Sequence, residues 1–369
     1  MSAISVAGDT SGSVTLSAPA VSGSSVLTLP VATDTLVGKA TTDTLTNKTL
    51  VAPALGTPAS GILTSCTGLN YNGFKNRIIN GAMTTDQRNS AASQTFTAAG
   101  ALAYSVDRWY GYCTGANVTG QQVAGSTTPT NTQFRYKFTG AASVTAVGFG
   151  QRIEQKNSYD LAGSTCTLSA DLGISATLTT VTWTASYATT TADTFGSLAS
   201  PTITQIATGT FTVSATMTNF SANISVPAAA TTGIQILFTV GALTAGLTWT
   251  VGNVQLEKGS TATSFDYRPY GTELALCQRY YEQFVVGTGS PNNIMLSGVL
   301  TGGNCTATAF FKVTKRASPS WALISGSAWT NTPNNSQTSI DSAVFQNTTS
   351  GYFLIGNGAG TGITFSAEL

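Results

Sequence analysis

The sequence predicts an all-β protein, and three observations lead to that prediction. Apolar and polar residues alternate in many short stretches, such as residues 134–138 and 181–187, and a period of two is typical of strands with one buried face. Only 8% of the residues are charged while 41% are hydrophobic, so Thr and Ser must cover much of the surface. A single stretch, residues 272–284, has the three- and four-residue apolar spacing of a helix.

Residues 1–70 contain short apolar alternations separated by Gly and Pro, and residues 33–39 are echoed by residues 42–48. These pieces are too weakly apolar to bury a core of their own. A flexible linker is one interpretation. The regular Leu and Val spacing favours the other, an extended shaft in which three chains supply one another's core.

Residues 71–259 predict one jelly-roll β-sandwich, because cleanly alternating stretches are separated by turn-rich gaps. In its last strand the apolar alternation slips by one residue at Gly252 and Asn253, which predicts a β-bulge. Residues 260–286 are predicted to be a linker and helix, and residues 287–369 a second, shorter β domain at the tip.

The predicted helix begins at Thr272, a capping residue, and places Leu274, Cys277, Tyr281 and Phe284 on one face. A helix this short is not stable alone in water. We therefore expect three copies of this face to meet on the axis of a homotrimeric fibre. The alternative is a helix that lies against its own sandwich.

Several classes of function are disfavoured by composition. The net charge is +1 with no basic run, so no nucleic-acid partner is predicted. Histidine is absent, which removes Ser-His-Asp sites and most catalytic zinc sites. The five cysteines are scattered, which argues against a disulfide framework or a zinc site, and they are expected to be buried thiols. No metal or cofactor is predicted. No secretory signal is visible, and we expect folding in the cytoplasm.

Glycan hydrolysis would need a pair of carboxylates. Glu154 with Asp160 and Glu257 with Asp266 are the candidate pairs, but each has a base close by in the sequence: Arg152, Lys156, Lys258 or Arg268. Surface ion pairs explain these acids more simply, so the protein is not expected to be an enzyme.

Two groups of residues are candidates for binding glycan by ring stacking and amide hydrogen bonds. The first follows the run Asp107-Arg108-Trp109, which more often places its Trp in a core with the charges paired, and it comprises Trp109, Tyr110 and Tyr112. The second lies in a polar, Pro-containing loop of the tip and comprises Trp329, Asn331, Asn334 and Asn335.

The run VQLEKGSTATSFDYRPYGTELALCQRYY, residues 254–281, resembles a segment common in tail-fibre proteins of bacteriophages and prophages. Residues 1–70 resemble the part of such fibres that attaches to the particle and starts the trimer. The motifs that open residues 71–259 resemble their carbohydrate-binding-like jelly roll, and residues 365–369 resemble many fibre tips. In related binding modules two acids often help to hold calcium, but Thr84 and Asn253 stand at the matching positions.

The resemblance implies a virion protein assembled in the host cytoplasm. Its expected partners are two further copies of itself, other tail or virion proteins through the N-terminus, and a host polysaccharide or lipopolysaccharide. The expected function is that of a receptor-binding tail fibre. Two alternatives stay open: a purely structural fibre or decoration protein, and a glycan-depolymerising tailspike.

Overall fold

The computed structural model describes residues 3–7, 10–17, 24, 74–98, 102–125, 133–175, 177–285, 293–301, 304–324, 327–330, 332–347, 352–356 and 362–369. The chain divides into two units, Met1–Ser65 and Cys66–Leu369. In the first unit, strand β1 (Ala3–Ala7) pairs antiparallel with β2 (Ser13–Ser17). The rest of the predicted shaft, apart from residues 10–12 and Ser24, lies outside the described residues.

The second unit begins with a β-sandwich, which confirms the predicted fold class. Its first sheet has the order β11-β10-β13-β8-β5-β4 and contains β4 (Ala103–Tyr104), β5 (Tyr110–Thr114), β8 (Ala146–Ile153), β10 (Thr180–Ala188), β11 (Ile203–Thr212) and β13 (Ile234–Val240). Its second sheet has the order β12-β9-β14-β7-β6-β3 and contains β3 (Gln94–Phe96), β6 (Val118–Ala124), β7 (Phe134–Thr139), β9 (Thr165–Ile174), β12 (Thr218–Ser225) and β14 (Thr248–Lys258). A short helix α1 (Gln155–Ser158) and a 3-10 turn (Tyr159–Leu161) follow β8.

The core lies between these sheets because alternate residues of each strand point inward. Its centre is aromatic: the Trp109 ring stacks on Phe149 at 4.7 Å between centroids, and Trp249 stacks on Phe138 at 5.4 Å. Trp109 also donates its indole N–H to the Asn80 carbonyl oxygen at 3.0 Å. The predicted core position of the Trp in the Asp-Arg-Trp run is therefore confirmed.

The predicted bulge is present in β14. Its pairing with β9 shifts register between Gly252 and Gln255, and Asn253 adopts a φ of 43°. Asparagine tolerates this left-handed conformation better than most residues. The shift keeps Trp249, Val251, Val254 and Leu256 all in the core.

The predicted helix is shorter than expected. Helix α2 spans Tyr270–Gln278, and Pro269 rather than Thr272 precedes its first turn. Tyr281 and Phe284, expected on the helical face, belong instead to strand β15 (Tyr281–Val285), which pairs with β23 (Gly362–Ser366). The spacing of apolar residues in this segment fits both the period of a helix and the period of a strand. Pairing with a distant strand decides between the two structures.

The proposed trimer-axis face is consequently wrong, because its four residues do not share one helix. Cys277 is fully buried in a small cluster with Ile79 and Tyr280 of the same chain, and Leu274 is only half-buried. Helix α2 thus lies against its own sandwich, the alternative stated above. The homotrimer stays a prediction, without this axis.

The C-terminal residues form two further sheets within the described part of the chain. The order β15-β23-β18 includes β18 (Ser320–Leu323). The order β19-β22-β16-β17-β21-β20 comprises β16 (Asn293–Thr301), β17 (Asn304–Phe310), β19 (Ala328–Thr330), β20 (Asn335–Thr338), β21 (Ser342–Asn347) and β22 (Tyr352–Gly356). Their core includes Phe345 and Phe365.

A buried group of charges, the junction cluster, joins the sandwich to these C-terminal strands; it consists of Arg88, Asp107, Arg108, Tyr280 and Glu368. Glu368 pairs with Arg88 at 2.9 Å between nitrogen and oxygen, and also with Arg108. The Arg108 guanidinium lies 3.6 Å from the centre of the Tyr280 ring. Burial raises the pKa of Asp107 to about 7, although Arg88 opposes that rise. Arg108 of the Asp-Arg-Trp run is paired, as predicted, with the distant Glu368, whereas Asp107 lies 4.0 Å from Arg88.

Candidate functional site

The outer surface of the second sheet carries three rows of polar residues that cross its strands. Their inward neighbours fill the core, so strand alternation places these residues outward. We call this surface the polar face, and it consists of Thr95, Thr119, Gln121, Arg135, Lys137, Thr139, Asp171, Ser175, Asn219, Thr248, Thr250 and Asn253.

The first row runs through Asn219, Asp171 and Gly252, which are direct partners on β12, β9 and β14. The two oxygens of the Asp171 carboxylate accept hydrogen bonds from the side-chain amides of Asn219 and Asn253, each at 2.9 Å. Asn253 is in this row because the bulge turns it outward. The bulge therefore places an amide beside a carboxylate that is only 3% exposed.

Arg135 on β7 lies near Asp171 of the first row, and its side chain is buried. Burial lowers its pKa, while the charge of Asp171 opposes that change. Tyr267 borders the row: its hydroxyl lies 3.2 Å from the Asn253 amide nitrogen, and its ring is about half exposed. An exposed tyrosine ring can stack on the apolar face of a ligand.

The second and third rows consist mainly of uncharged side chains. Gly173, Thr250, Lys137 and Gln121 are successive partners across β9, β14, β7 and β6. The third row has Thr248, Thr139, Thr119 and Thr95 as successive partners, and the Thr248 backbone N–H donates to the Ser175 hydroxyl at 2.8 Å. Because neighbouring strands lie about 4.8 Å apart, each row repeats polar groups at that interval.

A cavity of about 260 Å³ opens on the polar face beside Arg135, Ser175 and Thr248. Gly173 helps to keep this space open, since a Cβ there would lie 2.7 Å from the Met217 sulfur. The cavity combines hydroxyls, a guanidinium and a thioether, and so it can hydrogen-bond a polyhydroxylated molecule while excluding part of its water.

Only part of the second sheet is open in this way. The segment after β14 folds back over it: Glu257 accepts hydrogen bonds from the Thr263 backbone and hydroxyl at 2.9 and 2.6 Å, and Gln255 accepts one from the Asp266 backbone at 2.8 Å. Gln255 and Glu257 are consequently buried. The open part of the surface begins at Asn253.

The first group of predicted glycan-binding residues does not meet this face. Trp109 and Tyr110 are both fully buried, so neither ring can stack on a sugar, and the prediction is wrong for these two residues. Tyr112 is half-buried on the first sheet, where its ring covers Gly148. It stays a prediction.

The second group lies in the C-terminal sheets. Trp329 is half-buried, and its ring packs at 5.3 Å from Phe345 and 6.0 Å from Trp321. Asn334 and Asn335 are exposed, and the Asn335 amide donates to the Gln346 side chain at 3.0 Å. Asn331 lies outside the described residues. A role for this group in binding stays a prediction.

The acids considered for hydrolysis have structural partners, although not those expected. Glu154 pairs with Arg279 at 2.8 Å and accepts a hydrogen bond from Tyr280 at 2.8 Å. Burial alone would raise its pKa, but these two partners hold it below its usual range. Glu257 bonds to Thr263 and to the Gln255 amide, as part of the folded-back segment. Asp160 pairs with Arg77 at 2.7 Å.

Thr84, one of the two positions compared with a calcium site, lies 3.4 Å from the Asn80 side-chain oxygen, and Asn253 binds Asp171. Within the described residues, no group of three or more Cys, Asp or Glu could hold a metal ion. Cys113, Cys166, Cys277 and Cys305 are buried thiols, as expected, and Cys66 lies outside the described part. Among the same described residues, no helix has the length and apolar character needed to span a bilayer.

No family model matches the chain, and no curated protein matches it. Solved structures with a similar fold include the enzymatically active domain of tailspike protein 4 from bacteriophage CBA120, at 16% identity and a TM-score of 0.32 over 50% of this chain and 22% of that one. A CBM4 structure matches at 14% identity and a TM-score of 0.29, over 49% of this chain and 98% of that one. TmCBM61 in complex with β-1,4-galactotriose matches at 12% identity and a TM-score of 0.30, over 50% and 99%. TM-scores this low assign the chain to none of these proteins.

Proposed function

We propose that this protein is a non-enzymatic adhesin that binds bacterial surface glycan through the polar face. The observation that carries the proposal is the set of three in-register polar rows on a rigid sheet, with a cavity beside Arg135 and Thr248. Hydroxyl, amide and guanidinium groups repeated at the strand spacing can donate to and accept from successive sugar hydroxyls. The row of Thr side chains adds hydrogen-bonding groups without a large desolvation cost.

The setting of this activity is proposed from the sequence resemblance. The chain is a homotrimeric tail fibre of a bacteriophage, attached to the particle by residues 1–70 and directed at host polysaccharide or lipopolysaccharide. Light scattering is expected to give three times the mass of one chain. Particles assembled with a chain that starts near residue 70 should lack the protein, and normal occupancy would contradict the attachment role.

Glycan binding is tested by applying the whole protein to an array of bacterial capsular polysaccharides and lipopolysaccharides. Gln121→Ala and Lys137→Ala on the polar face should each weaken binding at least fivefold, because both residues are half-buried members of the second row. The matched control is Gln205→Ala, an exposed strand glutamine on the first sheet, and it should bind like the wild type.

Three outcomes would contradict the proposal. Saturable binding that is unchanged in both polar-face variants would show that the site does not lie on the polar face. An absence of binding to any glycan would favour a purely structural fibre. Release of new reducing ends during incubation would show a depolymerase instead.

A further inference from the structure

A second cavity, away from the polar rows, lies between the start of the sandwich and helix α2. Its volume is about 250 Å³, and its walls include Phe74, Arg77, Asn157, Arg268 and Leu276. We propose that this cavity, the arginine pocket, binds a single carboxylate-bearing sugar residue. This site is separate from the polar face and goes beyond the function proposed above.

The two arginines provide the recognition of a carboxylate. Within the described residues, the Nε atoms of Arg77 and Arg268 are buried and have no hydrogen-bond partner. A buried donor without an acceptor is unfavourable, and an arginine binds a carboxylate best through two adjacent N–H groups. A ligand carboxylate can reach the guanidinium of Arg77, because that side chain is 28% exposed.

The two arginines differ in how firmly they are held. Arg268 is 4% exposed and is fixed by Glu273 at 3.2 Å and by the Ile78 carbonyl oxygen at 3.0 Å. Among the described residues, Asp160 is the one ion-pair partner of Arg77, at 2.7 Å, and these two side chains are 50% and 28% exposed respectively. An exposed pair of this kind is weak, so a ligand carboxylate can compete with Asp160 for Arg77. Arg77 is the anchor, and Arg268 is a fixed part of the wall.

The remaining walls suit a sugar ring attached to that carboxylate. Phe74 is 51% exposed, so a ring face is accessible at the edge of the pocket. The Asn157 amide is half-buried, and its nitrogen lies 3.4 Å from the Tyr280 hydroxyl, at the long limit of a hydrogen bond. It can turn toward a sugar hydroxyl at little cost.

The test is calorimetric titration of the whole protein with D-glucuronate, D-glucose and acetate. Glucuronate should bind at least tenfold more tightly than either of the others, because only it has both the carboxylate and the ring. If glucose binds as tightly as glucuronate, the proposed role of the arginines is wrong. If acetate binds as tightly as glucuronate, the assignment to a sugar is wrong.

Variants locate the site. Arg77→Gln should weaken glucuronate binding at least tenfold, whereas Asp160→Asn should strengthen it severalfold by removing the competing carboxylate. Phe74→Ala should weaken the binding of glucuronate but not that of acetate. This substitution leaves the ion pairs of Arg77 and Arg268 intact. The control is Lys156→Gln, an exposed cation near the pocket that is not among its lining residues.

Absence of saturable glucuronate binding, or binding unchanged in Arg77→Gln, would overturn the proposal. Gln121→Ala and Lys137→Ala should leave glucuronate binding unchanged. A failure of the arginine pocket is therefore distinguishable from a failure of the polar face.

Discussion

The junction cluster and the polar face use similar side chains in opposite settings. In the junction cluster, Arg108 and Glu368 are 1% and 4% exposed and pair across two β regions that are far apart in sequence. On the polar face, Asp171 and Arg135 lie within one sheet, and exposed or half-buried hydroxyls and amides surround them. The junction cluster lies between two regions of the protein, and its most exposed cation, Arg88, is only 15% exposed. The polar face is open on the side away from the core.

This difference separates two uses of a small number of charges. A buried charge needs its partner, because an unpaired one retains the full cost of lost hydration. The junction cluster thereby makes the relative position of sandwich and C-terminal strands specific. Polar groups at an open surface contribute little to stability and remain able to exchange water for a ligand. Changes in the first region should affect stability, and changes in the second should affect binding.

The largest effect is expected from Glu368→Gln, which leaves both Arg88 and Arg108 without their shared carboxylate. We expect the free energy of unfolding to fall by about 3–5 kcal/mol. Urea unfolding followed by circular dichroism measures it. Asp341→Asn, an exposed acid in the same C-terminal region, should change stability by less than about 0.5 kcal/mol. If Glu368→Gln changes the free energy of unfolding as little as Asp341→Asn, the junction cluster does not hold the sandwich and the C-terminal strands together.

Lys315 and Glu282 form a second fully buried pair, with 2.6 Å between nitrogen and oxygen. Lys315→Met should lower the free energy of unfolding by about 3 kcal/mol, because it leaves the Glu282 carboxylate charged and buried. Adding Glu282→Gln should restore much of that loss, since no unpaired charge remains. The double variant compared with both single variants in urea gives the coupling energy. Strictly additive losses would contradict the pairing.

Asp107 predicts a dependence of stability on pH. Its pKa is about 7 in the folded protein against an ordinary value of 3.8, so the folded protein keeps a proton that the unfolded chain releases. The free energy of unfolding should therefore fall as pH rises from about 4 to about 7. Between pH 5 and pH 8 the free energy of unfolding of the wild type should fall by about 2.5 kcal/mol relative to that of Asp107→Asn, which cannot ionise there. Parallel curves for the two proteins would contradict this role.

The smallest effect on stability is expected on the polar face. Gly173→Ala places a Cβ against the flexible side chain of Met217, so the free energy of unfolding should change by only about 1 kcal/mol. The same Cβ narrows the cavity. Glycan binding on the same array should nevertheless weaken severalfold. Gly241→Ala is the matched control, because a Cβ there meets nothing within 4 Å. Equal glycan binding by Gly173→Ala and the wild type would show that the cavity does not hold the ligand.

Patterns within a few residues were enough to predict the fold class. Alternation identified the sandwich strands, and its slip at Gly252 and Asn253 located the bulge that the structure contains. The core position of Trp109, the alternative to its predicted role in glycan binding, also followed from its local run. These features depend on which face of a strand is apolar, and a strand has a period of two wherever it lies in the protein.

Local pattern could not decide between two periods in residues 277–284. The spacing of Cys277, Tyr281 and Phe284 suits a helix, but the helix ends at Gln278, and β15 pairs with β23 about 80 residues later in the chain. A strand gains its hydrogen bonds from a distant partner, and no signal of that partner exists in the segment itself.

The candidate sites depended on tertiary structure for the same reason. Alternation over residues 134–138 already indicates that Arg135 faces outward, but the alignment of Asp171 and Thr250 in rows follows from the register of strands that are distant in sequence. Arg77 and Arg268 come together only when the segment after β14 folds back toward the start of the sandwich. The sequence by itself determined which residues face inward and which face outward. The tertiary structure decided which outward residues meet, because register and chain return are set by contacts between distant segments.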